Sequence, residues 1–281
     1  MQRACVMLGS VNVNIELPEP EAEVMPGVRW GDVAAFPTPA YWAYQVMARR
    51  IERNAIRYRL GTSLKEEVGA CLLGGHGIPA KVGVVAFEHL RRRGAFADQP
   101  PPAETLLAWL SEPMPMEDRS IRYRFAGQKA RYLSAALETL AAEAAPQQSG
   151  RILRDWLTKI PGIGFKTASW VARNWLDADD VAILDIHILR AGVLAGFFDA
   201  ELTVERHYRE LEDQFLAFSA GLGVRASELD ALMWYEMMAS RNSVAQILSA
   251  MPESAFKARH APSRPPANPE RPHARQLALI R

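Results

Sequence analysis

Leu157-Thr158-Lys159-Ile160-Pro161-Gly162-Ile163-Gly164-Phe165-Lys166-Thr167-Ala168 is the stretch on which the reading of this chain turns. A helical pattern runs into Ile160-Pro161-Gly162-Ile163-Gly164 and a second leaves it at once. Pro161 stops the first helix, because its ring fixes φ and removes an amide donor. Gly162 and Gly164 admit backbone geometry closed to other residues and leave no side chain in the way. Such a turn aims bare N–H groups outward at the start of a helix. Together with the positive end of the helix dipole they form a phosphate site. Ile160 and Ile163 are expected to pin the turn to the core. A monovalent cation at the hairpin is the one cofactor the turn suggests, and no metal site is expected elsewhere.

Lys166 falls on the first turn of the outgoing helix, two residues after Gly164. There it stands as a phosphate contact or as a reactive amine, and the hairpin alone does not choose. Further on, Val181-Ala-Ile-Leu-Asp185-Ile-His187-Ile-Leu-Arg190 sets a carboxylate directly behind an apolar run, nineteen residues after Lys166. Asp185 is suited to cap the helix that follows. One helix of about 10 residues, roughly 15 Å long, and a return loop would also carry it back towards the hairpin.

Ile-Pro-Gly-Ile-Gly-Phe-Lys-Thr-Ala followed by Leu-Asp-Ile-His resembles the signature of the helix-hairpin-helix DNA glycosylase superfamily. The lysine is similar to that of the bifunctional branch, which includes 8-oxoguanine and endonuclease-III-like enzymes. The resemblance spans roughly residues 45–245. It implies that Lys166 is the attacking amine, Asp185 the partner carboxylate and His187 a phosphate contact, with Gly162 and Gly164 at the DNA backbone. Phe125-Ala-Gly127-Gln-Lys129-Ala-Arg131-Tyr132 is similar to the Gly-x-(Lys/Arg)-Ala-Arg-Tyr segment of 8-oxoguanine glycosylases. From Arg119 to Tyr132 there are five basic residues and no acidic one, a strip suited to the DNA backbone through Lys129 and Arg131 or, equally, to solvent. Cys71-Leu-Leu-Gly74-Gly75-His76-Gly77 sits where the family places its wedge, which implies Gly75 and His76 at the gap left by a flipped base.

An aspartate and a tryptophan line the pocket of archaeal 8-oxoguanine glycosylases. Asp230 and Trp234, four apart on one helix face, match them. Asp230 would then accept hydrogen bonds from the base and Trp234 would stack on it, unless they are a solvated charge and a packing side chain. Trp170, one turn beyond Lys166, is a further candidate wall, as are Trp30, Phe36 and Trp42 from the N-terminal segment.

Outward from this centre the pattern is helical almost throughout, with helices expected over 40–53, 63–73, 79–93, 103–110, 127–144, 150–159, 165–176, 185–195, 203–219, 225–239 and 243–249. The fold class is therefore all-α: a two-lobed helical bundle with a helix-hairpin-helix motif and a short irregular or β N-terminal arm. The arm covers residues 1–40, where Val11 to Leu17 alternates as one strand and Pro18, Pro20, Pro26, Pro37 and Pro39 break the path. The glycosylase-like domain covers 41–256, with the site between its lobes. The tail at 257–281, rich in proline and arginine, reads as disordered or loosely docked.

The 281 residues and a 49% hydrophobic fraction provide for a sizeable core. A formal charge of +1 leaves any nucleic-acid signal to local strips. Two separated cysteines, Cys5 and Cys71, exclude a disulfide framework, a zinc finger and an iron–sulfur cluster held by cysteines alone. The missing cysteine cluster departs from the endonuclease-III branch, and the N-terminus departs from the β-rich extra domain of eukaryotic 8-oxoguanine glycosylases. The compact bacterial and archaeal 8-oxoguanine types are left as the nearest match. No apolar run is long enough for a membrane span. The expectation is a cytoplasmic, nucleoid-associated monomer without an organic cofactor. It would act on double-stranded DNA carrying a flipped damaged base, as a bifunctional glycosylase/AP lyase for oxidised purine. The same chemistry on an alkylated or phage-modified base, and a helix-hairpin-helix DNA-binding protein that does no chemistry, are the alternatives.

Overall fold

The computed structural model describes residues 1–52, 58–75 and 77–250. His76 and the tail at 257–281 lie outside the described residues. Along the chain come β1 (Gln2–Leu8), β2 (Val11–Leu17), β3 (Glu23–Met25), β4 (Val28–Arg29) and α1 (Pro39–Ile51). Next are α2 (Leu64–Leu73), α3 (Ala80–Arg92), α4 (Ala103–Ser111), β5 (Met114–Met116), β6 (Arg119–Ile121), α5 (Ala126–Ala142), α6 (Gly150–Leu157) and α7 (Phe165–Leu176). Finally come α8 (Ile186–Ala195), α9 (Val204–Gly221), α10 (Ala226–Ala239) and α11 (Arg241–Ala250). Each expected helix is present, with ends shifted by up to two residues, as fraying termini do.

The elements fall into two compact units. Among the described residues, one is discontinuous, with β1–β4 and α1 joined by the run from Ala182 to Ala250; the other is the intervening run up to Val181.

In the discontinuous unit, β1 and β2 form an antiparallel hairpin from Gln2↔Leu17 to Leu8↔Val11. It closes through Gly9, whose φ of +62° suits glycine. Val6, Ile15 and Leu17 are buried, the inward set of a two-residue period. The N-terminal segment thus holds four strands rather than one. Phe36, Tyr41 and Trp42 cluster edge-on, with centroids 5.1–5.7 Å apart. Trp30 and Trp42 are core residues at 7% and 0% exposure, so neither offers a face to a ligand. Helix α1 is capped by Thr38, whose hydroxyl accepts from the Tyr41 amide at 3.1 Å. It packs on α10, tied by Arg49–Glu236 at 3.2 Å and by Arg50–Glu228.

The other unit has its own core, in which Leu72, Leu73, Phe87, Leu90, Leu106, Leu110, Leu133, Leu153 and Leu157 are closed to solvent. Glu67 organises it from within. One of its oxygens accepts from the Leu60 and Gly61 amides at 2.9 and 2.7 Å, and the other from Asn174 Nδ2 at 2.7 Å. A fully buried carboxylate is stable only when so paired. Its bonds fix α7, which carries Lys166, against α2.

Candidate active site

The hairpin grows from the capping of α6. Ser149 Oγ accepts from the Ile152 amide at 3.2 Å, and the Asp180 carboxylate accepts from the Gly150 and Arg151 amides at 3.0 and 3.1 Å. Asp180 belongs to the loop that follows α7, so this cap binds the exit of the second helix to the entrance of the first. The turn itself is closed by Ile160 N–H to Leu157 O and Ile163 N–H to Ile160 O, at 3.0 and 3.1 Å. The second lone pairs of those two carbonyls are the oxygen donors a monovalent cation would use. Ile160 and Ile163 are each 3% exposed and anchor the turn in the core.

The two glycines have different reasons to be there. Gly162 has φ +85°, and a Cβ on it would meet the Tyr132 ring at 2.2 Å. Gly164 is the N-cap of α7 with φ −86° and ψ 174°, ordinary extended backbone open to any residue. The expectation of special backbone geometry at Gly164 is therefore corrected: only the clearance argument applies to it. Nothing lies within 4 Å of its missing Cβ, and no side chain caps the helix it opens. Half-buried Lys166 rides on that first turn.

In the same unit, the end of α2 carries Gly74 and Gly75. Three consecutive carbonyls there are held by side chains. Lys129 Nζ donates to Leu72 O at 2.6 Å and reaches Gly74 O at 3.5 Å, while the Tyr123 hydroxyl donates to Leu73 O at 2.7 Å. These carbonyls are the ones a helix leaves unpaired at its C-terminus, where a cation is favoured. Burial pushes the Lys129 ammonium below its usual range. The Trp170 ring lies against Gly74, 3.3 Å from where a Cβ would stand. Gly75 takes φ +100° with open space around it. Arg119, Arg122, Arg124 and Arg131 of the basic strip are exposed.

Asp185 lies in the discontinuous unit as the N-cap of α8. Its Oδ1 accepts from the His187 amide at 2.8 Å and the Ile188 amide at 3.3 Å. The His187 ring meets Trp234 edge-on, with centroids 6.4 Å apart. Trp234 is 37% exposed while Asp230, one turn earlier, is 2% exposed and accepts the Ile183 amide on Oδ2 at 3.1 Å. Arg190, further along α8, is a cation near Asp185. Burial and then the Arg241 charge hold its pKa below the usual guanidinium range, against the opposing pull of Asp185. Sequence reasoning missed Arg190 and the carbonyl contacts of Lys129, because a basic residue on a helix reads as solvated unless its distant partner is known, and it missed Tyr123, whose carbonyl partner lies 50 residues away. It also missed the pairing of His187 with Trp234, which only the folding of α8 onto α10 creates. Among the described residues no group of three or more His, Cys, Asp or Glu stands ready to hold a metal ion, and no helix is long and apolar enough to cross a membrane.

A family model described as 8-oxoguanine DNA glycosylase matches residues 61–224. Among curated relatives, the 8-oxoguanine DNA glycosylase/AP lyase of Methanocaldococcus jannaschii is 30% identical over 122 residues, which is 42% of this chain and 58% of that protein. The protein of the same description from Thermoplasma acidophilum is 32% identical over 121 residues, 41% of this chain and 57% of that protein. The chain thus spans under two thirds of these relatives' length. The crystal structure of the Methanocaldococcus jannaschii 8-oxoguanine DNA glycosylase superposes with a TM-score of 0.55 at 24% identity, covering 70% of this chain and 92% of that one. The Thermotoga maritima 8-oxoguanine DNA glycosylase gives 0.55 at 21%, covering 70% and 96%. These likenesses show a shared helical fold.

Proposed function

This chain belongs to the 8-oxoguanine DNA glycosylase family, and from that premise we propose that it excises 8-oxoguanine from duplex DNA and then cleaves the abasic site. The observation that carries the reading is Lys166 on the first turn of α7, directly behind an N-terminus that no side chain caps. A phosphate received by those amides would bring the sugar to the lysine amine.

A glycosylase must reach C1′, so the damaged nucleotide leaves the stack, at a cost of a few kcal/mol. In this reading Trp234 offers its exposed ring for stacking, Asp230 takes base-edge hydrogen bonds, and Trp170 is a further stacking candidate. Gly162, Gly164, His187 and Arg131 contact the backbone, and the loop of Gly75 and His76 fills the gap. Lys129 serves that loop by holding the carbonyls at the end of α2.

As the bond from C1′ to the base breaks, the base leaves with the electron pair and takes up a proton, and positive charge builds on the sugar. Asp185 stabilises that charge electrostatically. The Lys166 amine bonds to C1′ and gives up a proton, which balances the one the departing base takes up, and opening of the sugar ring gives the Schiff base. Loss of a proton from C2′ then expels the 3′ phosphate by β-elimination. Borohydride reduces a Schiff base to a stable amine, so trapping tests the proposal. Wild type is expected to crosslink to a duplex carrying 8-oxoguanine opposite cytosine, and Lys166→Gln is not. Trapping on an abasic duplex alone would replace the base and keep the mechanism. No trapping on either substrate would reduce Lys166 to a phosphate contact.

A further inference from the structure

The three residues that lead into Asp185 are neither helix nor strand, yet each of their amides is held by a buried side chain from α9 or α10. Ala182 N–H donates to Glu212 Oε1 at 3.1 Å, Ile183 N–H to Asp230 Oδ2 at 3.1 Å, and Leu184 N–H to the Tyr208 hydroxyl at 3.2 Å. That hydroxyl in turn donates a hydrogen bond to Ala182 O at 2.7 Å. Tyr208, Glu212 and Asp230 are 5%, 1% and 2% exposed. Helix α9 is kinked at His207, immediately before Tyr208. Irregular backbone buried without partners would be costly, and elsewhere water or a sheet would supply them. Here two buried carboxylates and a buried phenol supply them. Burying a carboxylate is expensive, and what these three groups hold in common is the approach to one residue. On its far side Asp185 is fixed by the amides of α8.

Resting on the glycosylase reading above, we infer that Tyr208 and Glu212 are positioning residues that act through Asp185. They set where its carboxylate stands relative to the charge that develops on the sugar. A reacting group displaced by about 1 Å loses on the order of 10- to 100-fold in rate. Replacing a residue that holds Asp185 therefore slows base excision and leaves the hairpin's grip on DNA alone.

The test is single-turnover release of 8-oxoguanine from a duplex by full-length Tyr208→Phe, Glu212→Gln and Glu212→Leu. Each is made in the wild-type and the Asp185→Asn backgrounds, with affinity for an abasic-analogue duplex and thermal unfolding measured in parallel. Tyr208→Phe is expected to slow excision about tenfold and to change affinity less than about twofold. Glu212→Gln keeps an acceptor for Ala182 N–H and stays within about threefold of wild type, whereas Glu212→Leu matches Tyr208→Phe. In the Asp185→Asn background the further loss disappears, because residues acting through one group do not add. Equal losses in both backgrounds, or no loss from Tyr208→Phe or Glu212→Leu, overturn the inference. If one of these variants does not fold, the other still decides. Wild type that releases no base overturns both this inference and the glycosylase reading. Active wild type with unimpaired variants overturns this inference alone.

Discussion

Gly162 lies with its Cα against the ring of Tyr132, so that a Cβ at that position would stand 2.2 Å from the ring's Cγ. The hairpin turn is thereby seated on α5, the helix that carries Lys129 and Arg131. Gly162→Ala meets this clash and adopts φ +85° with a side chain. Together these cost about 2–4 kcal/mol. Thermal or denaturant unfolding should show that loss, and Gly162→Ala combined with Tyr132→Ala should recover part of it. A Gly162→Ala protein as stable as wild type would remove Tyr132 as the seat of the turn.

Gly164 makes the opposite prediction. Its backbone suits any residue and its surroundings are empty, so in Gly164→Ala the gain from a stiffer unfolded chain is offset by alanine's poorer fit at an N-cap, and stability should change by no more than about 1 kcal/mol. A phosphate approaching the first amides of α7 would meet the new methyl group. Affinity for an abasic-analogue duplex should fall about tenfold in a binding titration. Unchanged affinity would mean that DNA does not approach at Gly164.

The cap and the chemistry of Asp185 separate by substitution. Asparagine caps a helix as well as aspartate, so Asp185→Asn should unfold close to wild type, while Asp185→Ala should lose about 1 kcal/mol. Both lack the charge, and both should slow single-turnover base release by about 100-fold or more. Wild-type release by Asp185→Asn would leave the residue as a cap only.

His89 makes stability depend on pH. Burial, and then the Arg93 charge, lower its ionisation from the usual 6.5, against the opposing pull of the Trp109 carbonyl and Glu112. The folded protein therefore binds the proton less readily than the unfolded chain. The stability His89 contributes is full above about 6.5 and is lost as the pH falls through the folded value. Melting temperatures measured from pH 7 down to about 5 should decline, and less so in His89→Gln, which can still donate to the Trp109 carbonyl 3.1 Å from the histidine ring. Parallel slopes would clear His89 of this role.

Most of the helices were legible from a 3.6-residue apolar period, clearest in α6 and α7, whereas α10 has almost none and is legible from its helix-forming residues instead. The glycines and lysine of the hairpin, with Asp185, were legible because their spacing is local. Strands β3 to β6 have two or three residues each, too few for a period to register, and β1 shows no alternation of apolar and polar residues. The division at Val181 and Ala182 was not legible either. Val181-Ala182-Ile183-Leu184 has no linker composition, and its order comes from side chains 24 to 47 positions further on. Glu212 sits on a helix whose sequence admits it as a solvated charge. Its partner is an amide 30 residues away, which no helical period encodes.

Helix α1 packs on β1 and β2 and also on α10, and about 190 residues separate Trp42 from α10 in synthesis order. At about 5–20 residues per second, a ribosome needs roughly 10 to 40 s to make the connection. Throughout that interval α1 has only the β1–β2 hairpin and the Phe36–Tyr41–Trp42 cluster to pack on, and the face it turns to α10 stays uncovered. The order of translation thus assigns to the first 50 residues a waiting period in which their hairpin, aromatic cluster and helix stand as a fragment that only the last third of the chain completes.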